Sequence, residues 1–95
     1  MSNNNQELFK DLNRLGLIIS ERTRLKIITL LKAQELPASK INQKLHLPQN
    51  IVSHHLMILR TNGALDQRHE GRFIYYSVNR KNLKALNDSL KELLR

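Results

Sequence analysis

The side chains best suited to chemistry lie together on a short helix that we predict over Gln49–Arg60. Val52, Leu56 and Leu59 recur at helical spacing, which predicts one face packed against a core. The opposite face carries neutral hydrogen-bonding side chains, namely Gln49, Asn50, Ser53 and His54. Such side chains can pair with base edges in the major groove of DNA, where Asn and Gln can each bind adenine through two hydrogen bonds. The pattern therefore predicts a DNA recognition helix.

Two arginines flank a short hairpin predicted directly after this helix. The apolar period changes from helical to alternating, which predicts strands over 64–68 and 72–78. The connection His69-Glu70-Gly71 includes a glycine that can adopt the positive φ of a tight turn. Arg68 and Arg72 would then lie near the tip and contact the phosphate backbone or the minor groove, although Arg72 could instead pair with Glu70. We expect this hairpin to act as a wing beside the recognition helix.

The charge balance favours a polyanionic partner. The 95 residues include 16 Lys and Arg against eight Asp and Glu, which gives a net charge of +8 and a pI near 10.3. From Leu36 to Leu65 the basic residues are Lys40, Lys44 and Arg60, and acidic residues are absent. A basic surface can also be an ordinary solvated one, so charge alone does not decide. Together with the helix and the hairpin it favours double-stranded DNA, with these three side chains contacting phosphates.

Four further helices must position these side chains. The first begins near Glu7 and ends near Gly16. Ser20 is the expected N-cap of the second, which ends near residue 33. A short helix over Ala38–Leu45 precedes the recognition helix and forms a helix-turn-helix with it. The last helix occupies about Arg80–Leu94.

A chain of this length fits one small domain. We expect residues 1–6 to form a disordered N-terminal tail and residues 7–95 to form a single winged helix-turn-helix domain. The predicted fold is mostly α with a small β-hairpin (α+β), in the order ααααββα. The terminal helices carry leucine stripes that so small a chain cannot easily bury alone. We therefore expect a homodimer whose interface is formed by Leu8, Leu12, Leu15, Leu83, Leu86, Leu90 and Leu93.

The sequence argues against several other classes of protein. It contains no Cys, which excludes disulfides and thiolate metal sites. No apolar run approaches the ~18 residues that a membrane span needs, and the polar start MSNNNQELFK is unlike a signal peptide, so we expect a cytoplasmic protein. It also lacks a glycine-rich phosphate loop and a His-Glu-x-x-His zinc motif. We expect neither enzyme activity nor a cofactor.

With these elements assigned, the chain resembles the ArsR/SmtB family of winged-helix repressors from about Leu15 to Val78. The stretch VSHHLMILRTNGAL resembles the family's recognition-helix signature Val-Ser-x-His-Leu-x-x-Leu-Arg-x-x-Gly through Val52, Ser53, His55, Leu56, Leu59, Arg60 and Gly63. SERTRLKIITLL resembles its second helix and EGRFIYYSV its wing strand. The resemblance implies a homodimer that binds an imperfect palindrome in an operator and blocks transcription.

The sequence departs from the metal-sensing members of that family at both of their ligand sets. Where many of them have Cys-Val-Cys after a Glu-Leu pair, this chain has Pro37-Ala38-Ser39, which offers no soft ligand. A second family site combines Asp and His of one terminal helix with His and Glu of its dimer mate. Here Asp88 and Glu92 lie four residues apart, but no His occurs between Leu83 and Arg95. Metal sensing is therefore not carried over, and no metal site is predicted.

Three other functions stay open at this stage, one of which is nonspecific architectural binding of DNA. A metal-responsive repressor could use His54, His55, Asp88 or Glu92 as ligands, although His55 matches the family motif and is expected to pack or hydrogen-bond within the helix-turn-helix. Alternatively, the winged helix could be a protein-interaction module whose basic face is incidental. The sequence identifies no effector, which could be a small molecule or a partner protein.

Overall fold

The computed structural model describes residues 3–95, which form five helices and a three-stranded sheet. In chain order the elements are α1 (Asn3–Ile19), α2 (Arg22–Leu31), β1 (Leu36–Pro37), α3 (Ala38–Leu45), α4 (Gln49–Thr61), β2 (Leu65–Glu70), β3 (Phe73–Val78) and α5 (Arg80–Leu93). The architecture is a winged helix-turn-helix, mostly helical, as the sequence predicts. The added element is β1.

Helix α1 is longer at both ends than its leucine spacing suggests. It begins at Asn3, before the predicted boundary at residue 7, and residues 1 and 2 of the predicted tail lie outside the described residues. It also continues past Gly16 to Ile19. The last turn is stabilised because Ile18 is fully buried in the core, which offsets the weak helix propensity of the glycine.

The N-cap of α2 is Glu21, and the prediction of Ser20 at this position is wrong. The Glu21 carboxylate accepts hydrogen bonds from the backbone N–H groups of Thr23 (2.8 Å) and Arg24 (3.2 Å). These bonds satisfy donors that the first turn leaves unpaired, and the negative charge lies at the positive end of the helix. The Thr23 bond is the main reason that the pKa of Glu21 is lowered.

The wing is a three-stranded antiparallel sheet in the order β1-β3-β2. β1 could not be predicted from the sequence because a strand of two residues has no period to detect. The hairpin turn is also tighter than predicted: His69 and Glu70 pair within β2, and the connection is Gly71-Arg72. Gly71 adopts the expected positive φ of 60°.

An aliphatic core holds the helices and the sheet together. Its largest fully buried side chains are Ile18, Ile27, Ile41, Val52, Leu56 and Leu59. The last three are the residues that the sequence assigned to the inner face of α4, so that prediction is confirmed. With three side chains of α4 anchored in the core, the opposite face of the helix is fixed toward solvent.

Candidate nucleic-acid interface

The outward face of α4 is uncovered. Gln49, Asn50, Ser53 and His54 are all exposed, at the N-terminal half of the helix where the sequence placed them. We call this face, from Gln49 to His54, the polar ridge. Neither the wing nor a terminal helix of the same chain masks it, so the ridge can approach a ligand without rearrangement.

The start of α4 adds an electrostatic feature to the ridge. Pro48 is the N-cap, and no side chain caps the helix through a hydrogen bond. The backbone N–H groups of Ile51 and Val52 bond to the Pro48 carbonyl. Because no side chain caps the first turn, the positive end of the helix dipole stays accessible to an anion such as a phosphate.

Three basic side chains predicted as phosphate contacts surround the ridge and are exposed. Lys40 and Lys44 lie on α3, and Arg60 lies in the last turn of α4. Across residues 3–95, none of the three takes part in an ion pair. Their charges are thus available to a polyanion.

The two wing arginines differ in their surroundings. Arg68 donates to both carboxylate oxygens of Glu35 (2.6 and 3.3 Å) and to Glu70 (2.5 Å), and its guanidinium lies 4.8 Å from the centroid of the Tyr75 ring. The hydrogen bond to Glu35 is the main cause of a raised pKa of Arg68, and the same bond lowers the pKa of Glu35. Arg68 is therefore held by two acids of its own chain, which argues against its predicted role as a phosphate contact.

Arg72 is the wing arginine that remains available. It occupies the exposed turn beside Gly71, and within the described part of the chain it forms no ion pair. The alternative in which Arg72 pairs with Glu70 is wrong, because Glu70 is the partner of Arg68. The wing tip thus presents one uncompensated guanidinium.

An open groove separates α4 from the wing. Its polar lining combines Ser39 with Gln49, Ser53 and Arg72, and its aromatic lining includes Phe73 and Tyr76. Hydroxyl, amide and guanidinium donors of this kind contact phosphate and sugar oxygens in DNA complexes. Sequence reasoning could not find the groove, because it depends on how α3 and α4 pack against the wing, which follows later in the chain.

His55 faces the interior of the helix-turn-helix, as expected. Its Nδ1 lies 3.2 Å from a guanidinium nitrogen of Arg24 and 3.7 Å from the Glu21 carboxylate. Because arginine can only donate, the bond from Arg24 requires Nδ1 to accept, which corresponds to a neutral ring with its proton on Nε2. Burial is the main reason that the pKa of His55 is lowered. His55 therefore has a structural role, distinct from that of the exposed His54 beside it.

Arg24 is a buried structural residue that was not predicted from the sequence. It is 7% exposed, and it also donates to the carbonyl of Leu17 (2.7 Å) and to the hydroxyl of Ser20 (3.1 Å). The available signal was its spacing, since Arg24, Ile27 and Leu31 form the buried stripe of α2. Leu25, the next residue along the chain, is by contrast exposed.

The leucines predicted for a dimer interface fall into two groups. Leu86 is 5% exposed and belongs to the core of a single chain, so its assignment to the interface is wrong. Leu15 and Leu83 are partly buried and also pack against that core. The reason is that α1 and α5 pack against each other, with the Ser89 hydroxyl donating to Asp11 (2.8 Å). The more accessible members of the set are Leu8, Leu12, Leu90 and Leu93. Three exposed apolar side chains of α1 lie outside the predicted set, namely Phe9, Leu17 and Ile19.

The residues considered as metal ligands are divided between different elements. His54 and His55 lie on α4, whereas Asp88 and Glu92 lie on α5, where they line a shallow cleft with Glu7 and Asp11. Within residues 3–95, no group of three or more His, Cys, Asp or Glu is placed to hold a metal ion. Among the same residues, no helix is both long and apolar enough to cross a bilayer.

Comparison with known proteins gives consistent results. Residues 21–65 match the family described as "Bacterial regulatory protein, arsR family". The transcriptional repressor SdpR of Bacillus subtilis (strain 168) is 35% identical over 83 residues, which are 87% of this chain and 89% of SdpR. The transcriptional activator HlyU of Vibrio cholerae is 32% identical over 79 residues, which are 83% of this chain and 72% of HlyU.

Solved structures have the same fold. The structure of HlyU from Vibrio cholerae superposes with a TM-score of 0.74 at 27% identity, covering 98% of this chain and 97% of HlyU. A homodimeric winged helix-turn-helix DNA-binding domain, Mb0332 from Mycobacterium bovis, superposes with a TM-score of 0.80 at 22% identity, covering 99% of this chain and 87% of that domain. At the latter identity the likeness concerns the fold alone.

Proposed function

The chain belongs to the ArsR family of bacterial regulatory proteins, and we propose that it is a transcriptional repressor that binds a palindromic operator as a homodimer. The family consists of transcriptional regulators and not of enzymes, in agreement with the sequence analysis. The observation that carries the proposal is the uncovered polar ridge of α4 beside a wing with a free arginine.

In the proposed complex, α4 of each subunit enters a major groove. Gln49 and Asn50 can bind adenine through paired hydrogen bonds, and Ser53 and His54 can bond to a base or to a phosphate. A two-fold symmetric dimer places its recognition helices one helical turn apart, so the half-sites are expected at a separation of about 10–10.5 bp. These contacts supply the sequence preference.

The basic side chains around the ridge supply affinity that does not depend on sequence. Lys40, Lys44 and Arg60 bind phosphates beside the major groove, and Arg72 binds the backbone or the minor groove at the wing tip. The exposed start of α4 accepts one further phosphate. Bound at its operator, the dimer blocks transcription. Since operators lie with the chromosome, the protein acts in the bacterial cytoplasm.

The proposed dimer interface uses the accessible apolar side chains of the terminal helices. Phe9 and Ile19 on α1 and Leu93 on α5 are each about half exposed. Leu8, Leu12 and Leu90 are half-buried beside them. Burying such surfaces between two copies is favourable, at about 25 cal/mol for each Å² of apolar area removed from water.

Selection of bound duplexes from a random library tests the proposal directly. We expect the wild-type protein to enrich a palindrome and to protect both half-sites in a footprint. Asn50→Ala should then relax the preference at one base pair per half-site, at about 1–3 kcal/mol where a bidentate contact is lost. Lys91→Ala, on the exposed side of α5, is the matched control and should leave the selected sequence unchanged.

Two results would contradict the proposal. Enrichment of no sequence over the starting library would exclude an operator-binding protein and would favour a protein-interaction module. If Asn50→Ala instead weakens binding to every duplex by the same factor, the polar ridge does not read bases.

A further inference from the structure

Two large apolar side chains of α4 are exposed, Ile51 and Met57, and Met57 lies on the same side of the helix as Asn50. Met57 is 49% exposed, and it follows Asn50 by seven residues, so the two lie about two helical turns apart on the same side of the helix. It therefore extends the polar ridge toward the C-terminus of α4.

The neighbours of Met57 distinguish it from an apolar patch. At three and four residues on either side, the helix surface carries polar side chains, namely Ser53, His54, Arg60 and Thr61. All four are exposed. A lone apolar group within a polar surface does not fit a protein partner, whose interface core would need contiguous apolar area. A ligand surface that matches Met57 together with these neighbours would be mostly polar and would contain one small apolar group.

The DNA major groove has this composition. Its base edges present hydrogen-bond donors and acceptors together with a single apolar group, the C5-methyl of thymine. Methionine suits such a target because its thioether chain is unbranched, flexible and polarisable, and can adapt to a methyl group near the limit of its reach. We propose that Met57 reads the C5-methyl group of a thymine in each operator half-site. This proposal rests on the proposed insertion of α4 into the major groove.

The position of Met57 also indicates where this thymine lies. Asn50 and Ser53 are closer to the helix start, whereas Met57 is about 10 Å further along the axis than Asn50, from a rise of ~1.5 Å per residue. The thymine is therefore a few base pairs away from the position that Asn50 reads. Met57 adds a third kind of contact, apolar, to the hydrogen bonds of the ridge and the charges around it.

Replacement of thymine by deoxyuridine tests the proposal, because it removes the methyl group alone. In a duplex selected by the wild-type protein, each symmetric pair of thymines is replaced in turn. At one pair, wild-type affinity should fall about fourfold for each half-site, as expected for the loss of one buried methyl group. Met57→Ala should bind the thymine and deoxyuridine duplexes equally, with an affinity near that of the wild type for the deoxyuridine duplex.

Ile51→Ala is the matched control, since Ile51 is an exposed apolar side chain of the same helix but lies away from Met57. It should keep the preference for thymine. Circular dichroism should show that both variants fold. If the wild-type protein binds its selected duplex tightly but no deoxyuridine replacement lowers its affinity, the role of Met57 is wrong and operator binding still holds. Retention of the thymine preference by Met57→Ala overturns it equally. Failure to select any duplex overturns both proposals.

Discussion

The different surroundings of Arg68 and Arg72 predict how much each arginine contributes to the salt dependence of DNA binding. Each phosphate contact that is lost reduces the slope of log K against log salt concentration by about 0.9. Arg72 is free of acidic partners among the described residues, so Arg72→Met should remove one contact per subunit and flatten the slope by about 1.8 for the dimer. Arg68 is already paired with Glu35 and Glu70. It should contribute almost nothing to the slope.

Removing Arg68 alone would leave two acids near the DNA, so the control must conserve charge. The double variant Arg68→Met/Glu35→Gln removes one positive and one negative charge and keeps the net charge of the chain at +8. Fluorescence anisotropy with a selected operator, at several salt concentrations from 50 to 200 mM, gives the slope of each protein. We expect the double variant to match the wild type. A double variant whose slope flattens as much as that of Arg72→Met would refute the distinction between the two arginines.

Three further predictions concern stability, assembly and metals. Because burial lowers the pKa of His55 in the folded state, the unfolded chain binds more protons below about pH 6.5, and the free energy of unfolding in urea should fall there. His55→Gln should remove this fall but not the one that begins near pH 4.5, to which the lowered pKa values of Glu21 and Glu35 contribute. Leu86→Ala should lower the free energy of unfolding by about 2–5 kcal/mol, because it opens a cavity in the core. Ile19→Gln changes an exposed side chain, so it should leave folding intact and weaken the dimer, as measured by analytical ultracentrifugation. Titration of zinc into the protein–operator complex should leave the dissociation constant of the complex unchanged. Release of the DNA by zinc would instead support the metal-responsive alternative.

The parts of the fold that could be predicted from sequence are those fixed by local periodicity. Val52, Leu56 and Leu59 define the inner face of α4 by their spacing, and the ridge follows as the opposite face. Pairing between distant residues could not be predicted in this way. The two-residue strand β1 exists only because β3 lies beside it, and Glu35 meets Arg68 across 33 positions of the chain. The spacing shows that Arg68 is near the turn but cannot show that an acid from another element already holds it.

Arg24 connects the proposed dimer helix to the recognition helix. Its guanidinium donates to the carbonyl of Leu17 near the end of α1 and to His55 in the middle of α4. An operator whose half-sites are separated by one helical turn requires the two ridges of a dimer to be set at a fixed spacing. If α1 forms part of the interface, that spacing depends on the angle between α1 and α4. Because buried hydrogen-bond networks make packed elements more rigid, we expect the bonds of Arg24 to restrict that angle. Arg24→Met, which keeps the apolar stem, should therefore broaden the tolerated half-site spacing in a selection experiment more than it changes the sequence of either half-site.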